Sequence, residues 1–109
     1  MGTSPLTQIK SLETQLRAVV SKYDIADLNK DERAVVTTLK HDLIDARLDI
    51  RDYELSETRA EQIAQGIESV KRLEQIRGHI LAGSEYNMFS GVDVAQFSAQ
   101  LEQIIEELK

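Results

Sequence analysis

The sequence predicts an all-α fold: a four-helix bundle built on a long antiparallel helical hairpin, and one that dimerises. Composition is the first reason. A chain of 109 residues that is 41% hydrophobic and 29% charged, with one proline and five glycines, is rich in helix formers and poor in the turn and β-branched clusters that mark sheets. Periodicity is the second, because apolar residues recur at the three-and-four spacing of a helix face along most of the chain. The third is the segment from Arg33 to Leu55, which at about 100° per residue sorts into four stripes. Val36, Leu39, Leu43, Ala46, Ile50 and Tyr53 form one apolar face, and Ile44, Leu48 and Leu55, aligned with His41, form a second roughly opposite. Asp42, Asp45, Asp49 and Asp52 fill one gap between them; Arg33, Lys40, Arg47 and Arg51 fill the other. A helix with two apolar faces asks for two neighbours, and a four-helix bundle supplies only one of them.

The first helix is expected to start at Ser4-Pro5, a serine cap followed by proline at the first helical position. Ile9, Leu12, Leu16, Val19 and Tyr23 then form a single seam. Asp24 to Asn29 breaks the period, with Ile25 and Leu28 expected to tuck over the bundle end. Asn29 restarts it as a cap, with Glu32 in the reciprocal capping-box position and Asp31 in the first turn. A tight turn is predicted at 55–58, where Thr58 and Glu61 form a second capping box. The hairpin is therefore 30–55 against 58–82. In its second arm Ile63, Ile67, Val70, Leu73, Ile76 and Ile80 drift around the axis, so the two halves of that arm should meet different neighbours. Gly66 and Gly78 each weaken the arm by up to about 1 kcal/mol unless packing requires them. Residues 82–91, bounded by Gly83-Ser84 and Ser90-Gly91, read as a loop in which Tyr86, Met88 and Phe89 fold back to close the bundle end. For the last helix the expected cap is Asp93, with Gln96 reciprocating and Val92 and Phe97 as staple. Val94, Phe97, Leu101, Ile104 and Leu108 carry its seam. No internal repeat interrupts this pattern, and a single helical domain over 1–109 is the expectation.

The net charge of −6 opposes a phosphate backbone, so nucleic acid is not an expected partner. Without cysteine there is no disulfide, thiolate zinc site or cysteine nucleophile, and packing or oligomerisation must supply the stability. Apolar runs are too short for a signal peptide or a membrane span, and Leu6 stands where a myristoylation signal needs Ser or Thr. The expected location is cytoplasmic.

Chemistry-bearing motifs are weak. Asp42, Asp45, Asp49 and Asp52 could align carboxylates for Mg²⁺, a resemblance to the all-α nucleotide pyrophosphatases. Those enzymes need a second acidic pair on a facing helix, and the third and fourth helices offer none. An acidic face paired with the Arg33, Lys40, Arg47 and Arg51 stripe of a second copy accounts for it. Asp27, Asn29 and Asp31 imitate the start of a calcium loop but fail at Glu32, where glycine is needed, and at Thr38, where the closing glutamate belongs. Arg72 and His79 resemble the loose Arg-to-His pair of HEPN-type helical ribonucleases, but a two-residue match arises by chance in many chains, and His79 is read instead as satisfying terminal carbonyls or lying on the surface. His41 and His79 both lack the preceding glutamate of a di-iron motif.

Neither a catalytic residue, a metal, a cofactor nor a small-molecule substrate is therefore expected. The functional class indicated is a non-enzymatic protein–protein interaction module, a scaffold, adaptor or regulatory subunit. It would act as a homodimer or with an obligate protein partner seated on His41, Ile44, Leu48 and Leu55. Two alternatives stand beside it: a metal-dependent phosphohydrolase using the acidic stripe, and a small acidic inhibitor that masks a basic protein.

Overall fold

In the computed structural model, which describes residues 4–23 and 27–109, the chain is a bundle of helices measuring 47 × 26 × 18 Å. Helix α1 spans Pro5–Val20 and runs into a 3₁₀ turn at Ser21–Tyr23; α2 spans Lys30–Glu54, α3 Arg59–Glu85 and α4 Gly91–Leu108. No strand occurs among the described residues. Each helix touches its neighbours in cyclic order, α1 with α2, α2 with α3, α3 with α4, and α4 with α1. The longest interface joins α2 and α3.

The starts of the first three helices follow from local chemistry. Ser4 accepts from the Thr7 N–H, with Pro5 at the first helical position. Asn29 and Glu32 close a complete capping box. At Thr58 the box is half formed: its hydroxyl accepts from the Glu61 N–H, but the Glu61 carboxylate reaches instead to the Glu57 N–H at 3.2 Å. Of the pair expected over the bundle end, Leu28 is half-buried against the core, and Ile25 lies outside the described residues.

The predicted loop at 82–91 is shorter than the glycines suggest. Helix α3 continues to Glu85 because Gly83 is a packing glycine: a Cβ there would come within 2.6 Å of the Phe89 ring. The helix stops at Asn87, whose φ of 61° is the left-handed residue of a Schellman motif. The Met88 N–H donates to Gly83 O and the Asn87 N–H to Ser84 O. Helix α4 then begins three residues earlier than expected. Ser90 is the cap, and Asp93 is its reciprocal partner and not the cap itself. Phe89 and Val94 consequently occupy the staple positions, while Val92 is left exposed.

All four helices bury one core. Ile9, Leu12 and Leu16 of α1 meet Leu39, Leu43 and Ile50 of α2, Leu73, Ile76 and Ile80 of α3, and Leu101, Ile104 and Ile105 of α4, all essentially inaccessible. Met88 and Phe89 close one end as expected, and the Tyr23 hydroxyl donates to Met88 O at 3.1 Å, but Tyr86, expected to fold back with them, is exposed. At the opposite end the Leu6 N–H donates to Glu54 Oε1, and the Leu108 carbonyl lies against Gly66. Along α2 the contacts with α3 run from Val35 at Gly83, through Asp42 at His79 and Asp49 at Arg72, to Tyr53 at Gly66. Numbers rise on one helix as they fall on the other.

Candidate functional site

Helix α2 organises the polar chemistry, because its four stripes each meet a different environment. Its first apolar face, Val36, Leu39, Leu43, Ala46 and Ile50, is buried in the core, with Tyr53 half-buried against it.

The acidic stripe faces α3. Arg72 stands among three carboxylates, at 3.3 Å from Asp49, 3.7 Å from Asp45 and 3.8 Å from Asp42. His79 lies seven residues along, two helical turns, and its Nε2 is 2.8 Å from Asp42 Oδ2. The expected counterpart, the basic stripe of a second copy, is thus replaced by two side chains of the same molecule, and His79 serves a cross-helix pair in place of helix-end carbonyls. Asp52 is left at the exposed end of the row, 3.8 Å from Arg51. Chemically the row is occupied: the guanidinium fills the position a cation would take between Asp42, Asp45 and Asp49. Among the described residues no group of three or more His, Cys, Asp or Glu side chains could hold a metal ion.

Removing that guanidinium leaves three like charges on adjacent turns with no cation between them, and Asp42 is almost fully buried. Arg72→Gln is therefore expected to lower stability by about 1 to 3 kcal/mol, the range for hydrogen bonds and ion pairs that involve partly buried charge. Urea unfolding followed by circular dichroism should show the midpoint falling at constant slope. An unchanged midpoint would show that solvent already screens the cluster.

Within the basic stripe, Arg47 meets α1. Arg47 donates to Glu13 Oε1 at 3.0 Å, and Arg17 lies 3.6 Å from the other carboxylate oxygen. Glu13 is thereby buried with its charge compensated.

The fourth stripe is only partly covered by the described residues. His41 is exposed and Ile44 half-buried, Leu48 is 37% and Leu55 69% exposed. These are the residues that the sequence pattern singles out as a second apolar face, and they lie together along the side of α2 turned away from the core. Leu48 also borders a shallow pocket of about 270 Å³ with Leu6, Lys10, Arg47 and Arg51.

A second apolar surface was not foreseen. Helix α3 starts about 10 Å beyond the point where α4 ends against Gly66, at 1.5 Å per residue, so Ile63 lies past the end of α4; it and Ile67, beside that end, are half exposed. With Tyr53, Val70 and Leu108 they line a groove of about 320 Å³ rimmed by Arg59, Lys71 and Lys109. The drift of the α3 stripe is its only sequence signal: the half of α3 that faces the core is Leu73, Ile76 and Ile80, and the other half faces outward.

No helix among the described residues is long and apolar enough to cross a membrane. No family model matches the chain, and neither a curated protein nor a solved structure shows significant similarity to it.

Proposed function

We propose that this chain is a non-enzymatic interaction module, a single helical domain on an antiparallel α2–α3 hairpin, that self-associates through the outward face of α2. The observation that carries this reading is the exposure of Leu48 and Leu55, in line with a half-buried Ile44, on the outward side of a helix whose other three sides are already engaged. Leaving such a row in water forgoes up to about 1.5 to 3 kcal/mol per fully buried side chain. That gain has to exceed the cost of association. Three side chains alone do not make a stable interface, which needs roughly 1,200 Å² or more in total; α2, about 37 Å long at 1.5 Å per residue, offers the rest through its charged flanks. The ion-paired acidic row supports the same reading, since Asp42, Asp45 and Asp49 already hold a guanidinium and serve α2–α3 packing.

Leu48→Glu tests it directly, because it places a charge at the middle of the exposed row and removes nothing from the core. Light scattering should give the dimer mass for the parent and the monomer mass for the variant, with equal helical content. A parent that is monomeric at high micromolar concentration would end the self-association reading.

A further inference from the structure

The two flanks of the outward α2 face carry opposite charge. Although Asp45 pairs with Arg72, Arg47 with Glu13 and Arg51 with Asp52 within the chain, each keeps about half of its side chain exposed, which favours one direction for a second copy over the other. On one side stand Asp45 and Asp52, with about half of each carboxylate side chain still exposed. On the other stand Arg47 and Arg51, similarly exposed, with Lys10 of α1 beside them. From the axis of the face the acids lie about 50° to 70° to one side and the bases about 50° to 90° to the other, at 100° per residue.

Two arrangements bring this face against its copy by a two-fold axis in the interface plane. With the axis along the helix, the two α2 helices are parallel, and the acidic flank of each faces the basic flank of the other. Arg51 then opposes Asp52 of the copy, one residue away in height, and Arg47 opposes Asp45 of the copy, two residues away. With the axis across the helix at Leu48, the helices are antiparallel and each flank faces its own kind. Asp52, four residues above the centre, then opposes Asp45 of the copy, three residues below it. Like charges held at this spacing repel and opposite charges select the partner's orientation.

We infer that the second copy docks on this face in parallel, with its α2 alongside α2 and the axis of symmetry running along the row His41, Ile44, Leu48 and Leu55. A closed, self-complementary interface of this kind uses the same patch on both copies and stops at two. The inference rests on the self-association proposed above and adds its geometry.

The chain has no cysteine, so single-cysteine variants report cleanly. His41 and Leu55 lie seven residues to either side of Leu48. In a parallel dimer each faces its own copy, whereas in the antiparallel arrangement His41 faces Leu55 and each stands about 21 Å from itself, at 1.5 Å per residue. His41→Cys and Leu55→Cys, each treated alone with a short bis-maleimide at a concentration where light scattering shows dimer, should both give cross-linked dimer on denaturing gels. Cross-linking only in the mixture of the two variants would establish the antiparallel arrangement and overturn the inference, while the self-association reading stood. A dimer that cross-links in neither case has its interface elsewhere, and both fall. A monomeric parent removes both as well. As an independent readout, Asp52→Arg should weaken association at least several-fold, and adding Arg51→Asp should restore it; failure of the restored pair would show that the charges do not set the direction.

Discussion

Leu43→Asp is expected to leave the chain largely unfolded at 25 °C, while the same substitution at the next residue, Ile44→Asp, keeps the helical spectrum. Leu43 is fully buried between the core residues of all four helices. Replacing it removes about 1.5 to 3 kcal/mol of apolar burial and places a carboxylate where burying an uncompensated ion costs several kcal/mol more. A domain of this length has roughly 5 to 15 kcal/mol in total, so one substitution consumes most of it. Ile44 is turned by about 100° to the outward face and is half-buried; a carboxylate there stays in contact with water and repels only a second copy. Far-UV circular dichroism and amide dispersion distinguish the two. A folded Leu43→Asp protein would contradict the core described above, and an unfolded Ile44→Asp protein would show that the outer row supports the monomer.

That Leu43 enters the core while Ile44 turns to another side of the helix was legible from spacing alone, since a helix converts a one-residue step into a change of face. Cap-driven starts at Ser4, Asn29 and Thr58 were legible for a similar reason: each is decided within four residues of chain. What spacing does not encode is which neighbour occupies a given side. The acidic row of α2 was visible as a row, yet its partners Arg72 and His79 are more than twenty residues away and become neighbours only through the register of α2 against α3. Gly83 shows the same limit. It looks like a helix end, but its missing Cβ is required by the Phe89 ring, a contact that exists only once the chain has turned back at Asn87. At Ser90 and Asp93 two capping assignments competed, and the earlier one prevails with Phe89 and Val94, both packed against the core, in its staple positions. The apolar groove near Ile63 depends on the relative lengths and offsets of α3 and α4, quantities that no local pattern fixes.

The Phe89 ring decides the second large effect. Phe97 is buried, and its ring meets that of Phe89 edge-on, with centroids 6.3 Å apart and planes at 84°. Removing an aromatic ring from a core costs about 3 to 5 kcal/mol, with the exact value set by how far the surroundings relax into the space. Here relaxation is obstructed from the Phe89 side, because that ring is already seated over Gly83, closer to it than any side chain could be if Gly83 had a Cβ. A shift toward α4 would abandon this contact. Phe97→Ala is therefore expected to cost about 4 kcal/mol or more, which at roughly 4 °C or more per kcal/mol for a small domain lowers Tm by at least about 15 °C. Differential scanning calorimetry measures it, and a double-mutant cycle with Phe89→Leu should return a coupling of about 0.5 to 1.5 kcal/mol for the edge-on pair. A loss below about 1 kcal/mol would mean that the rings relax freely, and the tight seat of Phe89 on Gly83 would then no longer explain why α3 runs three residues past its predicted end.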